Sequence, residues 1–287
     1  MTWEMRTFVA ALLAAIPLLV VPVDTGSAAP KPKAAPACGA KILPLVTGNT
    51  WTYIPAAAPQ KIDPAFERLA PRQPTRIVIT VKSVETKGTE TVASLDETMT
   101  YEMVAANPEK KKPAVTSDVV VNSTIKCNAT KFEISPDSFL FSAEPGGYRA
   151  LSFDKLERSK DTSLKLTNGT IGDAPWREDI VAHFSRTPGK GSEAKLSPGK
   201  LELERSFTPE TPEAVVTKSG TRYLKTEKLT LETTGRVTFD APMSPKPKPS
   251  ELPKGWRSKF WFENGIGLVQ ALNMYAHMYQ LSASQLK

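Results

Sequence analysis

Between Arg76 and Val84 the chain reads Arg-Ile-Val-Ile-Thr-Val-Lys-Ser-Val, a β-branched run that alternates position by position. That period of two constrains the fold most, because it suits a pleated strand with one buried face and lays no continuous stripe along a helix. Lys87-Gly88 then supplies a turn, and residues 90–102 resume strand composition, which makes a hairpin. Residues 117–126 alternate into Cys127, residues 131–134 continue the pattern, and Phe139-Leu140-Phe141 is a further short apolar run. Residues 200–207 place Leu201, Leu203, Arg205 and Phe207 on one side. A second hairpin spans residues 214–233 around Lys218-Ser219-Gly220.

The last segment alternates as well. Phe260 and Phe262 precede a Gly265-Ile266-Gly267 turn; Leu272, Met274, Ala276 and Met278 then share one face, opposite Asn273, Tyr275, His277 and Tyr279. Residues 150–195 are less legible. Trp176, Ile180, Val181 and Phe184 suit either a helix or a twisted strand. The summed expectation is a mostly β protein, a curved antiparallel sheet or half-barrel of about eight to ten strands with at most one or two short helices. An alternation of strands and helices is excluded, and no fixed-period repeat is present.

The first 28 residues read as a signal peptide: Arg6, an apolar run over residues 8–23, then small residues ending in a cleavage point after Ala28. A retained membrane anchor is the alternative, although the run falls short of the roughly 20 residues that span a bilayer. Residues 29–37 form a Pro/Lys/Ala-rich tether, and residues 38–287 a single β-rich domain. Prolines make irregular loops of residues 55–75 and 242–255. Losing one cation and two acids with the leader raises the net charge from +7 to +8, basic without being concentrated.

Two cysteines, Cys38 and Cys127, are most simply one disulfide in an oxidising compartment, with two independent thiols as the alternative. The residues before Cys38 are not the aliphatic ones of a lipoprotein cleavage site. The two histidines, His183 and His277, lie in no metal-binding spacing, so neither a metal nor another cofactor is expected. His183, Glu178, Asp179 and Ser185 make a triad on paper, without the G-x-S-x-G turn that exposes a nucleophile. The carboxylate pairs Asp96-Glu97 and Glu178-Asp179 are sequence neighbours and would point to opposite faces of a strand. Lys110-Lys111-Lys112 and Lys246-Pro247-Lys248 lack interleaved aromatics, which argues against nucleic acid and leaves solubility alone, or anionic envelope polymers or lipid headgroups as partners. Sequons at Asn122, Asn128 and Asn168 matter only in a eukaryotic secretory route.

Aromatic residues gather at the two ends of the chain: Trp51 and Tyr53, then Trp256, Trp261, Tyr275 and Tyr279. They read as a shared core where the first and last strands meet, or as a carbohydrate- or lipid-facing surface. Gly48-Asn49 before Trp51 and Tyr53 supplies a turn tolerant of positive φ, as does Gly220, and Gly265 and Gly267 redirect the closing strand. The pattern P-L-x-x-G-N-x-W-x-Y at residues 44–53, with W-[FY]-x-x-G-[VI]-G-L-V at residues 261–269, resembles a group of uncharacterised bacterial exported proteins and lipoproteins. The resemblance implies a curved antiparallel sheet, some members being similar in outline to periplasmic lipoprotein carriers. The expected role is a secreted or periplasmic, non-enzymatic binding or structural module. The alternatives are a carrier of an apolar or lipid ligand in a half-barrel groove and a hydrolase of envelope polymers.

Overall fold

A computed structural model of the chain describes residues 36–58, 72–105, 109, 112–135, 138–141, 153–159, 164–188, 194–240, 250–251, 256–273 and 275–287. The alternating runs become strands. The first half contributes β1 (Thr50–Ala56), β2 (Arg76–Lys87), β3 (Glu90–Val104), β4 (Val115–Asn128) and β5 (Lys131–Ile134). The middle contributes β6 (Phe153–Arg158), β7 (Leu164–Thr167), β8 (Thr170–Ile171) and β9 (Trp176–Pro188). The rest is β10 (Ala194–Val216), β11 (Arg222–Phe239), β12 (Ser250–Glu251), β13 (Trp256–Glu263), β14 (Gly267–Leu272) and β15 (Met278–Gln285).

All fifteen belong to one open antiparallel sheet in the order β6-β9-β10-β11-β13-β14-β15-β1-β2-β3-β4-β5-β7-β8, with β12 on β11. The mostly β, antiparallel fold class therefore holds, while the count of about eight to ten strands is too low. Much of the surplus comes from β7, β8 and β12, each two to four residues long and too short to show a period of its own. Their pairing partners, not their sequence, make them strands. The only helical element among the described residues is a turn of 3₁₀ helix at Ala37–Gly39.

Burial follows the pleat. In β3, Ala93, Leu95, Glu97 and Met99 are buried, with half-buried residues between them. In β9 the buried set is Trp176, Glu178, Ile180, Ala182 and Phe184, so the helix-or-strand ambiguity resolves as strand. Trp176, Ile180 and Phe184 fit both periods because their spacing is even; the inward positions between them hold a carboxylate and an alanine, which hides the alternation.

Three sequence expectations need correction. The alternation after Gly267 is not one strand, because Asn273 folds residues 273–277 into a turn. Its Oδ1 accepts from the Tyr275 and His277 amides, and Ala276 sits at φ 56°. The loop of residues 242–255 is interrupted by β12, where proline-free Ser250-Glu251 pairs with Val237 and Arg236. The loop of residues 55–75 starts late, since Pro55 and Ala56 still pair with Tyr279 and Met278. The leader, nearly all of the tether, residues 59–71, Lys110-Lys111, Lys246-Pro247-Lys248 and the Trp256 side chain lie outside the described residues.

The ends of the domain meet. β1 pairs with β15 on one side and β2 on the other, Trp51 standing between Ser284 and Ile79. Trp51 Nε1 donates to Ile266 O at 2.6 Å, so the first sequence motif is bonded directly to the second. Gly267, at φ 114°, lies against that indole; a Cβ there would be 2.9 Å from Nε1. Buried Asn49 donates to Pro44 O at 2.6 Å and accepts from the Lys287 amide at 2.8 Å, joining the entry loop to the last residue. Trp261 turns elsewhere, its Nε1 donating to Glu213 with the Lys228 ammonium over its ring. Gly220 and Gly265, at φ 85° and 78°, shape the turns after β10 and β13.

Cys38 and Cys127 form a disulfide with Cα atoms 5.9 Å apart, tying the entry segment to β4 across 89 positions. Cys38→Ser, or reduction of the native chain, is expected to lower stability by about 2–5 kcal/mol, measured by urea unfolding with the slope fitted separately for the uncrosslinked chain, whose more open unfolded state steepens it.

Candidate functional site

The inner side of the sheet is occupied by the chain itself. Ser138–Phe141, between β5 and β6, is buried throughout. Phe139 packs against Tyr53 and Tyr279, with ring centroids 5.0 and 5.4 Å away. Phe141 stacks on Phe262 at 4.9 Å and also meets Phe132 and Phe260. This aromatic plug gathers β1, β5, β13 and β15 around one short segment.

Two buried charged residues anchor the plug. Glu97 of β3, fully buried, accepts from Ser138 Oγ at 2.5 Å, from the Phe139 amide at 2.6 Å, and from Ser123 Oγ of β4 at 2.5 Å. Arg205 of β10 donates from Nη2 to Phe141 O at 2.7 Å and lies over the Phe207 ring. Phe141 itself adopts φ 61°, a left-handed conformation that costs an ordinary residue about 1–2 kcal/mol. Burying a phenylalanine contributes about 1.5–3 kcal/mol, so the packing of Phe139 and Phe141 together outweighs the backbone strain while the polar anchors decide where the segment sits.

Arg205 also pairs with Glu178 of β9 at 3.3 Å, and Glu178 accepts from Arg158 of β6. Arg158 donates in addition to Ile134 O on β5. Ten strands separate β6 from β5 in the sheet order, so this bond shows how far the sheet curls: the edge strand β6 meets β5, two strands in from the other edge, through an arginine rather than a ladder. Burial, and next the neighbouring Arg205, lower the Arg158 guanidinium pKa to about 10, against an opposing pull from Glu133. Burial also pushes the Tyr53 and Tyr279 phenols well up, with Glu97 adding to the shift at Tyr53.

Two hollows flank this seam. The inner one, beside Phe132, Ile134, Phe141, Glu178 and Phe207, holds about 10 Å³. The outer one is a cleft of about 260 Å³ lined by Thr124, Lys126, Glu133, Ser135 and Arg158.

The paper triad does not assemble. Glu178 faces inward, whereas His183 is on the outer face 3.5 Å from Glu157, and Asp179 pairs outward with Arg177. The carboxylate neighbours separate as the pleat requires: Glu97 inward, Asp96 outward to Lys82 at 3.1 Å. Among the described residues no group of three potential metal ligands occurs, and no helix is long and apolar enough to cross a membrane. Glu97 and Glu178 entered the sequence reading only as candidate catalytic carboxylates and Arg205 only as one of an alternating row, so their part as anchors was missed, yet a signal existed. Each charge stands at an inward position of an otherwise apolar row, as Arg205 does between Leu203 and Phe207.

No protein-family model and no curated protein matches this chain. Among solved structures it is similar to a Bacteroides fragilis protein described as exported, with a YmcC-like fold. Identity there is 13% over 86% of this chain and 99% of that one, with a TM-score of 0.46. It is also similar to a Parabacteroides distasonis protein described as a lipoprotein, at 12% identity, the same coverage and a TM-score of 0.41.

Arg205→Met removes one partner of a buried cluster and is expected to destabilise the fold by about 3–5 kcal/mol. Glu202→Gln, on the outer face of the same strand, should stay within about 0.5 kcal/mol. Urea denaturation of the two variants side by side checks the contrast.

Proposed function

We propose that the chain is an exported protein of a bacterial envelope that acts as a non-catalytic binding or structural module. The observation that carries this reading is the occupied interior: Ser138–Phe141 is buried against the inner faces of β1, β5, β13 and β15, which favours a partner that meets the molecule at its surface. The leader at residues 1–28 and the Cys38–Cys127 bridge fit a secreted or periplasmic destination, where thiols are oxidised. The basic balance fits an anionic partner, such as an envelope polymer or a lipid headgroup.

A carrier of apolar ligands needs an empty groove. The inner hollow of about 10 Å³ has room for roughly one water, and a lipid chain entering there would have to displace Phe139 and Phe141. A hydrolase needs its acid and base in contact; Glu178 stands on the opposite face of β9 from His183, and Asp179, on the same face four positions away, pairs with Arg177 while His183 lies beside Glu157.

Two measurements test the reading. Mass spectrometry of the chain from an expressing bacterium is expected to find a mature N-terminus at Ala29, and a retained leader would remove the export argument. Titration with the apolar fluorophore N-phenyl-1-naphthylamine is expected to give no saturable enhancement. Saturable micromolar binding would favour the carrier.

A further inference from the structure

The outer cleft lies where the edge strand β6 approaches the β4–β5 pair. Thr124 and Lys126 are exposed side chains of β4, Glu133 belongs to the outer face of β5, and Ser135 follows β5 directly. In the ladder Lys126 stands opposite Glu133. Arg158 reaches into the seam from β6, its side chain 17% exposed.

The donors along this wall exceed what the fold uses. Of the five N–H groups of a guanidinium, Arg158 engages one with Glu178 and one with Ile134 O, leaving the rest for the cleft. Thr124 and Ser135 hydroxyls face each other at 3.2 Å; Ser135 Oγ also accepts from the Thr124 amide at 3.1 Å and lies 3.3 Å from Thr124 O, so the Thr124 hydroxyl can turn to a ligand oxygen directly and Ser135 only in exchange for that long bond to Thr124 O. Lys126 adds an ammonium. A planar guanidinium fixed by two bonds is a prearranged fork for paired oxygens, as on a phosphate or carboxylate. Its orientation is already set by Glu178 and Ile134, so ligand binding need not order it.

Charge narrows the choice. The lining holds two cations, Lys126 and Arg158, and one carboxylate, Glu133. Such a wall accommodates a single negative charge and opposes a second one close to Glu133. The number of hydroxyl and N–H donors suits a tetrahedral group with several oxygens. The lowered pKa of Arg158, from burial and from Arg205, agrees with a guanidinium that gains from an added anion.

We propose that this cleft binds the monoanion of a phosphodiester, with Arg158 and Lys126 holding the non-bridging oxygens and Thr124 and Ser135 donating to the ester side. The proposal rests on the envelope reading above and names the partner chemistry for it. The same group occurs in soluble glycerophosphodiesters and in lipid headgroups.

The test is an NMR titration of the mature chain with glycerophosphoglycerol, run beside a sedimentation assay with phosphatidylcholine vesicles, with and without phosphatidylglycerol. The expected result is saturable shifts of the Thr124, Lys126 and Ser135 amides and the Arg158 Nε–H. Lys126→Gln should weaken binding about two- to fivefold, and Glu133→Gln should tighten it by a similar factor. Glu133→Gln should also admit glycerol 3-phosphate, a dianion. Neither substitution touches the seam bonds of Arg158, and an unchanged thermal midpoint will show that both variants fold. Shifts with the soluble diester assign a free diester, and binding confined to phosphatidylglycerol vesicles assigns a headgroup. No saturable response to either probe, or equal affinity in the wild type and both variants, overturns the proposal. A correctly processed chain that fails to bind defeats this inference alone, whereas an unprocessed chain defeats the export reading.

Discussion

Glu97 is the pivot of the structure. A carboxyl group with no exposure to water is costly to bury unless its oxygens are occupied. Here Ser123, Ser138 and the Phe139 amide occupy them. The consequence is spatial: satisfying Glu97 requires Ser138 and Phe139 to lie under β3, and that places two aromatic rings against the inner face of the sheet. Arg205 fixes the other end of the same segment through Phe141 O. Dispersion and burial supply most of the energy, since two phenylalanines outweigh a few hydrogen bonds of about 1 kcal/mol each. The polar anchors supply position.

An open sheet of fifteen strands has two edges and one large inner surface, both of which need cover. The plug covers the inner surface around β1, β5, β13 and β15, while Ile180, Ala182, Phe184, Leu201 and Leu203 pack in a second cluster with Val237 and Phe239. Arg158 draws one edge toward the other by bridging β6 to β5, and the far end folds back as well, the Ile171 amide of β8 donating to Glu227 of β11 at 2.8 Å. Halfway round the curl, β1 and β15 bring the chain termini together, and the Trp51 to Ile266 bond locks that seam. The molecule thus resembles a barrel in its solvent exclusion without completing a barrel's hydrogen bonding. The seam between β6 and β5 is also the place where buried arginine chemistry reaches the surface, and the polar cleft beside Arg158 lies there.

Much of this was legible in the residues. Alternation in residues 76–102 and 200–233 gave hairpins because polar and apolar residues there differ enough to reveal the pleat. The paired termini followed from aromatic residues at the two ends, and the disulfide from an even cysteine count. The plug was not legible. Phe139-Leu140-Phe141 looks like any short apolar strand, and only the distant Glu97 and Arg205 make it an interior segment. The same holds for the cleft, whose lining comes from β4, β5 and β6, strands that no local pattern places side by side. Charged residues inside apolar rows were the available clue, and they marked the anchors rather than a catalytic centre.

Amide hydrogen exchange at Phe139 tests the central claim most directly. If Glu97 and the aromatic contacts hold the plug as part of the sheet, that amide is expected to exchange with an opening free energy within about 1 kcal/mol of global unfolding. Exchange several kcal/mol easier than that of the β1 and β15 amides would mean that the segment leaves while the sheet persists, and would contradict it.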